Sequence, residues 1–97
     1  MLIAIDLDRT ITADPTCFMR VIDEFAKGGH EFIVVTGRKE HDRIGLVDPR
    51  WKIRLPKAVI YANGKLKRKA AEEAGYKVDI WIDDEPGTIE PCRILEW

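Results

Sequence analysis

MLIAIDLDRT, residues 1–10, decides the fold. Its apolar run over residues 1–5 is too continuous for a strand with one wet face, and it reads as a strand covered on both sides. Two carboxylates follow, one residue apart, Asp6 and Asp8, and then Thr10. Ligands of open α/β sheets bind at the carboxyl ends of the strands, so a buried strand that runs into acidic residues is building a site there. A second stretch repeats the design, with apolar residues 80–82 running into the adjacent pair Asp83 and Asp84. Two such strands side by side bring up to four carboxylates into one small volume, and that many anions require a cation.

Apolar runs at residues 2–7, 32–35, 58–61, 78–82 and 92–95 predict five short strands, and the polar or helical segments between them predict a parallel α/β sheet. Asp14 and Pro15 are a helix N-cap and first-turn pair. From there Phe18, Val21, Ile22 and Phe25 recur at helical spacing until Gly28 and Gly29 stop the helix. Residues 65–74, rich in Lys, Ala and Glu and closed by Gly75, predict a second helix with Leu66, Ala70 and Ala74 on one face. Residues 39–57 are broken by Gly45, Pro49 and Pro56, and a short helix followed by an irregular loop is expected there.

With 97 residues the chain is expected to form one domain, long enough to bury a core without disulfides. Sixteen Lys and Arg against seventeen Asp and Glu give a net charge of -1, which offers no general attraction to nucleic acid or acidic membranes. Asp6 interrupts the first apolar run before a secretory leader is reached, and no run is long enough to span a membrane. Cys17 and Cys92 are far apart with no metal or disulfide pattern around them, so both are expected to be small core residues of a cytoplasmic protein. His30 and His41 have no ligand set beside them and read as surface or loop residues. Trp51, Trp81 and Trp97 read as core or core edge, with Trp51 also placed near the site.

The acidic strand ends fit phosphoryl transfer. A carboxylate attacks phosphorus when it is held in line, its charge is offset by a divalent cation, and an acid protonates the leaving oxygen. Asp6 is the expected nucleophile, and Asp8, on the same side by the two-residue period, is the expected general acid and later general base, while Leu7 points the other way into the core. Hard oxygen ligands select Mg²⁺, and Asp84 is the expected distal carboxylate ligand. A third strand end, Val34-Val35-Thr36-Gly37-Arg38, offers the Thr36 hydroxyl and the Gly37 N–H to the equatorial oxygens of a phosphoryl group. A lysine is also needed between the nucleophile and the phosphate, and Lys65, Lys67 and Lys69 crowd the first turns of the second helix.

DLDRT, VVTGR, a helix-borne lysine and WIDD, in that order, resemble the four motifs of the haloacid dehalogenase-like phosphohydrolases, and the resemblance spans nearly the whole chain. It implies a Rossmann-like three-layer sandwich with a five-stranded parallel sheet of order 3-2-1-4-5, and an aspartyl-phosphate intermediate on Asp6. It further implies that Asp8 meets the Mg²⁺ through its backbone carbonyl, that Asp84 binds the metal directly and that Asp83 stands one contact further out. In compact members of the family the catalytic lysine lies about two turns before the glycine that ends its helix, so the resemblance, counted back from Gly75, implies Lys67 in that role. Arg9 departs from the family, where glycine is usual, and is expected to grip a second phosphate or carboxylate of the substrate or to narrow access.

Neither residues 11–16 nor 39–57 are long enough for the cap domain of larger family members, so the resemblance implies a capless enzyme whose open site takes a large substrate or borrows a protein partner or a second copy for closure. The expected activity is a phosphatase, a phosphoric monoester hydrolase. Arg38, Arg43, Arg50, Lys52 and Arg54 make a nucleotide or a nucleic-acid phosphate end the first substrate expectation, with Arg9, Thr36, Gly37 and Arg38 as its binding residues. The rival from another class is a non-catalytic phosphate-binding or protein-interaction module of the same fold. A phosphoacceptor receiver domain fits less well, because the third strand ends in Ala62-Asn63 with no acceptor carboxylate.

Overall fold

The computed structural model describes residues 1–39 and 55–91. Four strands, β1 (Leu2–Ile5), β2 (Glu31–Thr36), β3 (Val59–Tyr61) and β4 (Ile80–Ile82), form one sheet of order β3-β2-β1-β4. Every pairing is parallel, with Ile3 opposite both Phe32 and Ile80, and Val34 opposite Val59. Helix α1 (Pro15–Lys27) connects β1 to β2, and α2 (Lys67–Glu73) connects β3 to β4.

The inner strands β1 and β2 are dry on both faces because each contributes apolar residues to both. Ile3, Ile5, Leu7, Phe32 and Val34 form one buried cluster with Ile22 of α1, against which Phe18, Met19 and Phe25 also pack. Ala4, Ile33 and Val35, the alternate residues, form the other with Ala70 and Ala71 of α2. A helix therefore covers each face, and Ile3, Ala4 and Ile5 of the central strand are fully buried.

The ends of α1 follow the sequence expectation. The Asp14 carboxylate accepts from the Cys17 N–H at 3.1 Å, Pro15 opens the first turn, and Gly29 turns the chain away at φ 81. Gly75 does the same after α2 at φ 90. Helix α2 is shorter than the expected 65–74: it begins at Lys67, with Leu66 as a cap residue that makes no side-chain bond. Its buried face is Lys67, Ala70 and Ala71, so Leu66 and Ala74 are exposed where the spacing had placed them inward.

Strand β1 stops at Ile5, although the Asp6 N–H still donates to the Ile82 carbonyl at 2.9 Å and Leu7 remains in the core. Cys17 is exposed, contrary to the expectation of a core cysteine, because Phe18, Ile22 and Phe25 take the inward positions of α1. His30 is half-buried and takes the chain's amino group at 2.9 Å on Nδ1. Trp81 packs at the edge of the second cluster, as expected. The expected fifth strand over 92–95, the loop over 40–54 with Arg43, Arg50, Trp51, Lys52 and Arg54, and also His41, Cys92 and Trp97 lie outside the described residues. No helix among the described residues is long and apolar enough to cross a membrane.

Candidate active site

The chain runs β1, β2, β3 to one side, then crosses back through α2 to place β4 on the other side of β1. Where strand order reverses, the connections leave in opposite directions and open a crevice at the carboxyl ends. Asp6 leaves β1 at this point, and Asp83 and Asp84 leave β4 beside it. The crevice is an open cleft of about 590 Å³, lined among others by Asp6, Asp8, Gly37, Arg38, Lys67 and Asp84.

The innermost group is an ion cluster. The Lys67 ammonium donates to Asp6 Oδ1 at 2.8 Å and to Asp83 Oδ2 at 2.6 Å, and all three side chains are buried. Lys65 instead reaches Glu73 at 2.7 Å, and Lys69 is exposed, so the structure brings Lys67 of the three candidates to the carboxylates. Helix register explains this, since Lys67 shares a face with Ala70 and Ala71. Burial pushes the Asp6 carboxyl up, against the pull of Lys67 and with the help of neighbouring Asp83. Burial alone would lower the Lys67 ammonium, but the bonds to Asp6 and Asp83 outweigh it and hold the lysine protonated.

Asp84 stands on the solvent side. The Thr10 hydroxyl lies 3.4 Å from Asp6 Oδ2 and 3.3 Å from Asp84 Oδ1, within reach of either as donor. Asp6, Asp83 and Asp84 each offer an oxygen within 4.8 Å of the others. Asp83 is already engaged, its Oδ2 by Lys67 and its Oδ1 by the Glu85 N–H at 2.9 Å. Asp6 Oδ2 and Asp84 Oδ1, which share the Thr10 hydroxyl and are not bonded to Lys67, are a hard donor pair of the kind that suits a small divalent cation.

Asp8 points elsewhere. Arg38 grips it with two parallel bonds, Nε to Oδ2 at 2.8 Å and Nη2 to Oδ1 at 2.5 Å. This guanidinium holds the Asp8 carboxyl below the usual carboxylate range. Thr36 is fully buried behind the cleft wall, where its hydroxyl accepts from the Arg38 N–H at 3.1 Å, and Gly37 and Arg38 line the cleft in front of it. Arg9 lies on the rim with Nη1 3.3 Å from Glu85 Oε1.

The sequence did not disclose the Asp8–Arg38 pair, the bridging position of Thr10 or the part of Glu85 at the rim. For the first, the strand-terminal position of Arg38 in VVTGR was an available signal, since β1 and β2 are neighbours and their ends must meet. Neither a family model, nor a curated protein, nor a solved structure matches the chain.

Proposed function

We propose that the protein is a Mg²⁺-dependent phosphohydrolase that cleaves a phosphomonoester through an aspartyl phosphate on Asp6. The observation that carries this reading is a buried lysine shared by Asp6 and Asp83 at the strand-order reversal, with Asp84 alongside. An anion cluster with one built-in cation, opening into a cleft, is suited to receive a further cation and a phosphate together.

Asp6 and Asp84 would hold the Mg²⁺ directly, with the Asp8 carbonyl as a further ligand and Asp83 one contact removed; the ion supplies charge neutralisation for the phosphoryl oxygens. An Asp6 oxygen forms a bond to phosphorus as the bond from phosphorus to the leaving oxygen breaks. Protonated Asp8 gives its proton to that leaving oxygen. Asp8 then takes a proton from water as the water oxygen bonds to phosphorus, the bond to Asp6 breaks, and inorganic phosphate leaves. Lys67 holds the Asp6 carboxylate in place and offsets its charge. Gly37 and Arg38 face the transferring group, and Thr36 fixes their turn through the Arg38 N–H. Arg38 keeps Asp8 ionised while paired with it, so the acid role of Asp8 requires the guanidinium to move onto the substrate phosphate.

The same reading includes a Rossmann-like, capless fold in which residues 92–95 add a fifth strand beside β4, giving the order 3-2-1-4-5. The 39% exposure of Ile80 on β4 supports an uncovered edge there among the described residues. The substrate we favour is a nucleotide or a nucleic-acid phosphate end, in a cytoplasmic setting, with closure of the open site left to a large substrate, a protein partner or a second copy. Phosphate release should be followed from nucleotides, sugar phosphates, phosphopeptides and phosphorylated oligonucleotide ends, with and without Mg²⁺, for wild type and Asp6→Asn. Metal-dependent release that vanishes in the variant supports the enzyme. Mg²⁺ binding without release from any substrate makes the protein a phosphate-binding or interaction module instead.

A further inference from the structure

The cations of the cleft are held to different degrees. Lys67 is clamped by two buried carboxylates, Arg38 makes two contacts with Asp8, and Lys65 lies 2.7 Å from Glu73. Arg9 is the loosest of these: its contact with Glu85 is 3.3 Å long, between side chains 78% and 52% exposed. Such a pair contributes little and exchanges readily for another anion.

The backbone of Arg9 is unusual as well. At φ 59 it occupies the left-handed region, where a long side chain is disfavoured and glycine is relaxed. The Arg9 N–H donates to Thr12 Oγ1 at 3.0 Å, which closes the turn and sets the side chain on the cleft rim. With most of its side chain in solvent, Arg9 contributes no core packing that would offset this conformation. Strain retained at the mouth of a cleft points to a use for the side chain there.

We infer that Arg9 is a specificity-determining residue and that the substrate is a phosphomonoester carrying a second oxyanion, a carboxylate or a further phosphate, on its leaving group. This rests on the phosphohydrolase reading for the placement of the first phosphate at Asp6. A cleft of about 590 Å³ has room well beyond a phosphoryl group and falls in the size range of small-molecule sites. A guanidinium at its rim offers the planar, two-point contact that carboxylate and phosphate oxygens accept. Glu85 holds the side chain near the mouth and yields it to the ligand.

The test is a calorimetric titration of Asp6→Asn protein in Mg²⁺ with two matched pairs: adenosine 3′,5′-bisphosphate against adenosine 3′-monophosphate, and 3-phosphoglycerate against glycerol 3-phosphate. Within at least one pair the bis-anion should bind about ten- to a hundredfold tighter, the span of one charge-assisted contact. Which pair shows it tells phosphate from carboxylate. Adding Arg9→Gly should erase that preference, and Glu85→Gln should strengthen it. Arg9→Gly suits the backbone, so an unchanged thermal midpoint certifies its fold. Equal affinity within both pairs, or a preference that survives Arg9→Gly, overturns the inference. An Arg9-dependent preference in a protein whose wild type releases no phosphate removes the hydrolase and, with it, the inference as a statement about substrate, leaving Arg9 as the anion contact of a binding module; release without the preference overturns the inference and keeps the hydrolase.

Discussion

The side chains of Lys67, Asp6 and Asp83 are 5%, 7% and 1% exposed, whereas those of Arg9 and Glu85 on the rim of the same cleft are 78% and 52% exposed. In the buried cluster desolvation is severe, so each charge depends on its neighbours and none can be removed alone without consequence. At the rim water does most of the solvating, and a pair can be exchanged for a ligand at little cost. The Asp8–Arg38 pair lies between these extremes, 44% and 28% exposed but joined by two good bonds. A site of this kind keeps its reacting group fixed at depth and leaves recognition to side chains that can change partners.

That contrast breaks if Lys67 can be removed without harm. Lys67→Met strands Asp6 and Asp83 as adjacent buried anions, and urea unfolding at neutral pH should show a loss of about 3–5 kcal/mol. Millimolar Mg²⁺ should return part of it, because binding to the native state alone raises stability. A loss no greater than that of a surface lysine would show that the cluster is not coupled.

Asp6→Asn acts on the same cluster in the opposite direction. Its raised carboxyl favours the protonated form in the folded chain, so this contribution is present at low pH and is lost as pH rises through the folded value. Without metal, Asp6→Asn should therefore be more stable than wild type at pH 7, on the order of 1 kcal/mol, with the gap closing toward pH 4. Mg²⁺ should shrink or reverse the gap, since wild type gains the ligand that the amide binds poorly. Thermal melts at both pH values with and without Mg²⁺ measure this.

The intermediate pair should give an intermediate effect. Asp8 is depressed by Arg38, so the pair's stabilisation is present above the ordinary carboxylate value and is lost as pH falls through the lower folded one. Comparing urea midpoints at pH 7 and pH 3, wild type should lose more than Arg38→Ala by up to about 1 kcal/mol, a figure reduced for partial exposure. Equal losses would place Asp8 with the rim. The smallest effect belongs to Arg9→Gly: relief of the left-handed backbone opposes the entropy of an added glycine, and stability should stay within about 0.5 kcal/mol.

Much of this was legible because it depends on short-range pattern. The run into Asp6, the Asp14-Pro15 start of α1 and the Gly75 stop of α2 are local signals, and the structure has each in place. The period of two placed Leu7 in the core opposite Asp6 and Asp8. What was not legible depends on which surfaces meet. The face of α2 that docks against the sheet through Ala70 and Ala71 carries Lys67, three and four residues earlier, and not Leu66, and the spacing alone did not choose between these two stripes. Cys17 lies outside the apolar face of α1, which burial frequencies for cysteine cannot foresee. The capture of Asp8 by Arg38 joins residues 30 positions apart through the adjacency of β1 and β2, which a linear pattern of charges does not encode.

The most direct test of the central claim is to find the phosphate on the nucleophile. Protein mixed with a hydrolysed phosphomonoester and Mg²⁺ is quenched in acid within the first turnover and analysed by mass spectrometry of its peptides. The account predicts one phosphate on Asp6, absent without Mg²⁺ and absent in Asp6→Asn. Phosphate release that proceeds with Asp6 never labelled, or that continues undiminished in Asp6→Asn, would contradict it.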